Sequence, residues 1–285
     1  MTRSGYKVGQ QKRVSRDRHI RVKSTPATSG QDARDTVFSA KSIAARIQDA
    51  GKQLFETPSQ GDDDPFAAAN TIYLTDDKQS WLYHVPGWHW ALYNSRDPQP
   101  IRSEWFDELW ELHPTNPGVI KIFGREVPTP RFQQAYGVSH RFSGKTFEAR
   151  AFPDAVLFAV EQIQRLVPKS DSSSESFVNG GLLNWYASGD HYIGPHSDDI
   201  GGVVAGSPVF SVTFGATRRF VVAPKKSKRQ PSAAENGARQ VELQLADGDL
   251  LVMGGTTQVT HKHSLPKAKS CLGRRINLSL RCFAE

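Results

Sequence analysis

The segment Arg275-Ile276-Asn277-Leu278-Ser279-Leu280-Arg281 alternates polar and apolar residues with a period of two. On an extended strand that period sends Arg275, Asn277, Ser279 and Arg281 to one face and Ile276, Leu278 and Leu280 to the other. Inside a sheet fold, such a strand is tolerable only if its polar face lines a cavity, because buried guanidinium groups without partners are costly. The cavity suits an anion of matching shape, since a guanidinium fork binds carboxylate through two parallel hydrogen bonds and keeps its charge at any working pH. A solvent-facing edge strand with two surface arginines is the competing reading.

Upstream stands His196-Ser197-Asp198, separated from His263 by three runs of strand composition, Pro208 to Gly215, Arg218 to Val222 and Gly248 to Gly255. Two imidazoles and one carboxylate on one face of a metal leave the remaining positions open for a co-substrate and dioxygen, the arrangement used by non-haem iron(II) oxygenases. A His-x-Asp triplet alone is weak evidence, and the strand order around it supplies the weight. On an extended segment His261 points the same way as His263 and competes with it.

These motifs carry a resemblance. Asn184-Trp185-Tyr186, His196-Ser197-Asp198-Asp199, Ser211-Val212-Thr213-Phe214-Gly215, Gly248-Asp249-Leu250-Leu251, His263-Ser264-Leu265-Pro266 and the closing alternating segment resemble the AlkB family of Fe(II)/2-oxoglutarate-dependent nucleic-acid dealkylases. The His-Ser-Leu-Pro and Ile-Phe-Gly…Pro-Arg signatures are most similar to its DNA-directed members, the AlkB homologue two group. The resemblance covers roughly residue 100 to the C-terminus. It implies a mainly β, α+β fold, a double-stranded β-helix (jelly roll) with flanking helices and an N-terminal nucleotide-recognition lid.

The resemblance also implies roles. His196, Asp198 and His263 would ligate the iron, the His-Ser-Leu-Pro context favouring His263 over His261. Asn184 and Tyr186 would hydrogen-bond 2-oxoglutarate, Arg275 and Arg281 would clamp its carboxylates, and Asn277 and Ser279 would complete the pocket. Ile122, Phe123 and Gly124, with Arg131, match segments that engage duplex, Phe123 standing in the place of an apolar finger that fills the gap left by an everted base. An ordinary buried strand is the other reading of Ile122 and Phe123. Phe142 matches an aromatic that stacks on the flipped base, and Asp199 a residue at the substrate. Two departures stand out. His140, in a shortened segment, occupies a tyrosine position of the nearest relatives, and Ile200 an acidic one.

The chemistry so implied uses Fe(II), 2-oxoglutarate and O2 to oxidise an N-methyl or similar alkyl group on a nucleobase, DNA being the expected substrate. The same reaction on RNA or on a protein side chain stays open, as does a catalytically inactive nucleic-acid-binding module of this fold.

Composition agrees with a polyanionic partner: 36 Lys and Arg against 29 Asp and Glu leave a formal net charge of +7 over 285 residues. Only two cysteines occur, Cys271 and Cys282, without zinc spacing, which reads as reduced thiols of an intracellular protein. The start is crowded with Arg3, Lys7, Lys12, Arg13, Arg16, Arg18, Arg21 and Lys23 and lacks apolar periodicity. Residues 1–65 therefore read as a basic, disordered arm and linker, 66–150 as an N-terminal extension and lid, and 151–285 as the catalytic core. A phosphate grip, a nuclear signal, an organelle leader or a plain solvated tail all fit the arm, so the nucleus is the expected compartment and the mitochondrion the alternative. No run is apolar enough to span a membrane or act as a signal core, so a soluble protein is expected, and a monomer is the expected state.

Three helices are expected. Ala40 to Phe55 is rich in helix formers, Ser103 to Leu112 opens on a serine cap, and Pro153 to Leu166 carries Val156, Leu157, Val160, Ile163 and Leu166 on one stripe. The run from Trp81 to Trp88 reads as strand, with its tryptophans in the core. Lys225 to Pro231 opens a polar loop that is either solvated or in contact with phosphate.

Overall fold

The computed structural model describes residues 38–54, 66, 68–94, 102–142, 145–167, 178–226 and 237–284. Residues 1–37 of the basic arm, the Ser59–Pro65 linker and residues 227–236 lie outside the described residues, whereas Ala40–Leu54, within the stretch expected to be a disordered arm and linker, forms a helix.

Two sheets face each other, as a jelly roll requires. The larger has eight strands in the order β1 (Asn70–Tyr73), β2 (Ser80–Val85), β14 (Leu250–Gly255), β11 (Val209–Gly215), β16 (Arg275–Arg281), β9 (Gly180–Tyr186), β5 (Phe132–Gly137) and β8 (Ala149–Arg150). The smaller runs β10 (Ile193–His196), β15 (His261–Leu265), β12 (Arg218–Pro224), β13 (Val241–Leu245). Four strands of the larger sheet come from residues 66–150, so that stretch builds the scaffold as well as whatever covers it. Two hairpins pair apart from both sheets, β3 (Val119–Ile122) with β4 (Arg125–Pro128) and β6 (His140–Phe142) with β7 (Lys145–Phe147).

The alternating strand lies in the middle of the larger sheet. β16 pairs antiparallel with β11 on one side and β9 on the other, which removes the edge-strand reading of Arg275 and Arg281. Its apolar face, Ile276, Leu278 and Leu280, is fully buried against the helical side. The register aligns Asn277 with Asn184 and Thr213, and Ser279 with Leu182 and Ser211, so one polar row crosses three strands on the inner face. Because both faces of β11 are covered, its residues from Val209 to Phe214 are all buried.

A second apolar cluster fills the space between the sheets, joining Leu82, Val209, Leu251 and Met253 of the larger to Phe220, Val222, Leu245 and Leu265 of the smaller. On the outer face of the larger sheet lie α1 (Ala40–Leu54), α2 (Trp88–Tyr93), α3 (Arg102–Glu111) and α4 (Asp154–Leu166). Ala40, Ile43 and Ile47 recur at helical spacing and make the buried face of α1. Trp105 Nε1 donates to Ala155 O at 2.9 Å and Trp185 Nε1 to Leu109 O at 3.0 Å, tying α3 to α4 and to the sheet.

Three local expectations change. Ser103 lies inside the first turn of α3, which already begins at Arg102, so it is not the residue preceding the helix. Leu157 points outward at 38% exposure, and Ala159 takes its place on the buried stripe of α4. The strand ends at Val85; Gly87, at φ 64°, turns the chain so that Trp88 opens α2, with the Gly87 amide donating to Asp249 Oδ1 at 2.8 Å. Trp81, Trp88, Trp105 and Trp110 are all core residues, as expected.

Candidate active site

Adjacent antiparallel strands supply the candidate metal ligands. β10 and β15 pair with His196 opposite His263, and Asp198 follows two residues past the end of β10. The three ligating atoms lie within 4.8 Å of one another, and they form the one His/Cys/Asp/Glu group with metal-holding geometry among the described residues. Asp198 Oδ1 is 3.6 Å from the Nε2 of each imidazole. His196 Nδ1 donates to Gly194 O at 2.9 Å, which commits Nε2 to the cavity, and the ring of Phe220 stacks on His263 at 5.6 Å between centroids. His261 is buried beside His263, yet its Nδ1 meets the Thr260 hydroxyl at 2.7 Å and its ring stays out of the cluster.

Contacts remote in sequence hold the turn between the two ligands. Ser197 Oγ donates to His261 O at 2.8 Å, and the Asp198 amide donates to Gln258 Oε1 at 2.9 Å from α5 (Thr257–Thr260). Arg281 Nη2 donates to Asp198 Oδ2 at 2.7 Å. Burial pushes the Asp198 carboxyl up, but the Arg281 guanidinium and His263 outweigh it and hold it well below the usual carboxylate range. Burial lowers His263, with Asp198 opposing, so the imidazole favours the neutral form that binds a metal. Two imidazole nitrogens and a carboxylate suit iron(II) or a similar divalent ion, with half of an octahedral shell left open.

A cavity open to solvent extends from this cluster along β16. Arg275, Asn277, Ser279 and Arg281 all line it, together with Asn184 and Tyr186 from β9 and Ser211 from β11. Arg275 is 2% exposed; its Nη2 donates to Thr213 Oγ1 at 2.9 Å, its guanidinium lies 5.3 Å from the centre of the Tyr186 ring, and its Nε has no partner. Burial pulls its pKa down to about 10, with Tyr186 opposing, so it stays a cation. Asn277 Nδ2 donates to Ser211 Oγ and to Val212 O, both at 2.9 Å, and Ser279 Oγ donates to Asn277 Oδ1 at 3.4 Å.

Arg131 is expected among the substrate contacts. It is buried in the same cavity wall, its Nε donating to Asn184 Oδ1 at 2.7 Å. Among the described residues neither Arg131 nor Arg275 has a carboxylate partner, so the cavity holds two buried cations beyond the Arg281–Asp198 pair. A doubly charged co-substrate with a carboxylate at its far end answers that imbalance.

The remaining expected residues spread around the mouth. Asp199 lines the cavity, its Oδ1 accepting from the Gly201 amide at 2.9 Å, and Ile200 beside it is 54% exposed. Phe123 and Gly124 form the two-residue turn of the β3–β4 hairpin at φ 49° and 78°, the conformation of a type I′ turn. Phe123 is fully exposed, so it is no core residue; the side chain of Ile122 lies outside the described residues. Backbone alone is described for His140 and Phe142, at either end of β6.

Sequence reasoning missed Gln258, Thr213 and Phe283. Gln258 and Thr213 act through contacts that only the fold creates. Phe283 had a signal, because it continues the period-two phase of Arg275 to Arg281 by one more step, and it too lines the cavity.

A jelly roll whose inner face presents two histidines, an aspartate and a row of buried cations defines a metal-dependent oxygenase site with room for an anionic co-substrate. The comparison of the sequence with known families agrees: residues 98–281 match the 2OG-Fe(II) oxygenase superfamily, and the chain belongs to it. It is similar to DNA oxidative demethylase ALKBH2 of Bos taurus, 36% identical over 57% of this chain and 56% of that protein, and to the Homo sapiens ALKBH2, 36% identical over 57% and 60%. Alpha-ketoglutarate-dependent dioxygenase alkB homolog 3 of Rattus norvegicus is 29% identical over 54% of this chain and 50% of its own length. The chain thus spans little more than half of the curated relatives it matches.

Proposed function

We propose that this protein is an iron(II)- and 2-oxoglutarate-dependent dioxygenase that oxidatively removes small alkyl groups from nucleobases, with DNA as the substrate. One observation carries the reading. A fully buried guanidinium, Arg275, lacks a carboxylate partner among the described residues at the closed end of a cavity whose other landmark is the His196, Asp198, His263 cluster.

His196, Asp198 and His263 would hold the iron. When bound, the iron and 2-oxoglutarate supply dioxygen activation coupled to decarboxylation. This chain's residues orient and insulate. Arg275, supported by Thr213 and Tyr186, takes the distal carboxylate; Asn184, Asn277 and Ser279 flank the co-substrate; Arg281 keeps Asp198 ionised and aimed. The substrate half rests on the names of the similar proteins and on an exposed aromatic at a hairpin tip, where a finger that replaces an everted base belongs. In this reading Ile122, Phe123 and Gly124 with the β6–β7 hairpin, including His140 and Phe142, form the lid, Asp199 contacts the base, and the nucleus is the compartment implied.

The test is turnover by the purified protein with iron(II), 2-oxoglutarate and dioxygen on methylated duplex DNA, single-stranded DNA and RNA. Formaldehyde and succinate should appear together on DNA and vanish in His196→Ala. Succinate without formaldehyde on every nucleic acid would remove nucleobases from the reading.

A further inference from the structure

The cavity has two unlike ends. Arg275, Tyr186, Arg131 and Asn184 are all at most 5% exposed, so the end they line is closed. Asp199 and Gly201 are exposed and Leu182 and Ser279 half-buried, so the other end is where a large substrate enters. β16 runs from the closed end toward the open one, with Arg281 at the metal cluster. Two residues further along an extended chain is about 7 Å beyond it, and the residue there is Phe283, which lines the cavity.

Phe283 is held more firmly than packing alone requires. Its amide donates to Asn179 Oδ1 at 2.7 Å and its carbonyl accepts from Asn179 Nδ2 at 2.9 Å, so one side chain fixes both backbone groups. Its ring occupies the space over Gly180, where an added Cβ would come within 2.3 Å of the ring carbons. The same segment clamps the loop that leaves the metal cluster: Val203 bridges to Phe283, the Ala284 amide donates to Gly202 O and the Val204 amide to Cys282 O, both at 2.8 Å. That loop begins at Asp199, directly after the ligand Asp198. The ring is therefore placed rigidly relative to the metal, and a rigid aromatic loses little entropy when a flat partner meets it.

We propose that Phe283 is a specificity-determining residue, an aromatic wall of the substrate end of the cavity against which the planar ring of the alkylated base packs. The inference rests on the nucleobase reading above and deepens it. A wall so close to the metal selects for flat heteroaromatic rings over the flexible, non-planar carbons of an amino-acid side chain. It acts on binding of the base, and the closed end of the cavity is out of its reach.

The experiment compares wild type with Phe283→Leu and Phe283→Tyr on a methylated duplex oligonucleotide, reading KM, and separately measures 2-oxoglutarate affinity by fluorescence quenching. Loss of a base–aromatic contact should raise the oligonucleotide KM at least about fivefold in the leucine variant. The tyrosine variant should recover most of that, and co-substrate affinity should hold at the wild-type value in both. Phe283→Met, which fills the same gap with an adaptable side chain, repeats the comparison if the leucine variant melts early. Equal KM values in wild type and leucine variant, or equal impairment with leucine and tyrosine, would overturn the assignment. Absence of formaldehyde from wild type on every nucleic acid is a different failure, that of the nucleobase reading, and takes this proposal with it.

Discussion

Arg281 and Asp198 divide the work of one carboxylate: the guanidinium holds Oδ2 at 2.7 Å while Oδ1 is left facing both imidazoles at 3.6 Å. The pair is buried, so it is not an ordinary surface ion pair, and its worth is orientation as much as charge. Replacing Arg281 with Gln leaves Asp198 free to rotate and raises its affinity for protons. Metal affinity should fall about 10- to 100-fold, the usual cost of losing a partner that orients a ligand, as measured by cobalt(II) titration of the purified protein. Unchanged affinity would mean that the Gln258 and Ser197 contacts suffice to hold the turn.

Arg275 poses a different test, because the proposed partner is the co-substrate. Arg275→Lys keeps the charge and loses the fork, so the distal carboxylate loses its pair of parallel hydrogen bonds to a planar donor. The loss of a charge-assisted hydrogen bond corresponds to about 1.5–3 kcal/mol, hence about tenfold or more in 2-oxoglutarate KM. Metal affinity should stay constant, since Arg275 is at the far end of the cavity. Equal changes in both constants would place its effect on the fold instead.

How much of this was legible beforehand depends on the range of the interaction. The row from Arg275 to Arg281 could be read because a period of two is a local property of the backbone, and the central position of β16 confirms the face assignment. His196, Asp198 and His263 were legible through type and order. The grouping of His196 and Asp198 with His263 rather than His261 follows from register, since β15 sets His263 opposite His196 on β10. Gln258 escaped notice because its amide matters only after α5 folds against the turn at Asp198, a contact between segments far apart in the chain. Leu157 was misplaced because an apolar residue at the edge of a helical stripe can fall on either side of it.

Phe123 separates stability from function. A non-glycine residue at φ 49° carries a left-handed penalty of about 1–2 kcal/mol, and its fully exposed ring recovers nothing from burial in the free protein. Phe123→Gly relieves the strain but adds freedom to the unfolded chain, so a net stabilisation of up to about 1 kcal/mol is expected. If the ring fills a base-pair gap, the same substitution should slow turnover on duplex far more than on single strands. Urea unfolding and paired kinetics read the two effects from one variant; a stability gain with equal losses on both substrates would retire the finger.

The last expectation concerns pH and lies away from the active site. His89 is buried among Trp90, Tyr93, Trp105, Phe158 and Phe214, with ring centroids 4.7–5.9 Å away and neither ring nitrogen hydrogen-bonded among the described residues. Burial, assisted by the charge of Arg102, lowers its pKa from 6.5 to about 3. The unfolded chain therefore takes up a proton near pH 6.5 that the folded protein refuses until about pH 3. Between those values the unfolded state binds more protons, so stability falls as pH falls, by about 1.4 kcal/mol per pH unit at most from this group. Above pH 6.5 both states are neutral and the contribution disappears. His89→Phe keeps an aromatic ring in an aromatic box and removes the titration. Urea midpoints of the two proteins should thus be similar at pH 7.5 and diverge at pH 5, where the wild type should be weaker by about 2 kcal/mol. Parallel loss of stability in both proteins on acidification would show that His89 reaches a proton acceptor in the folded state, and its apolar cage would have to be redrawn.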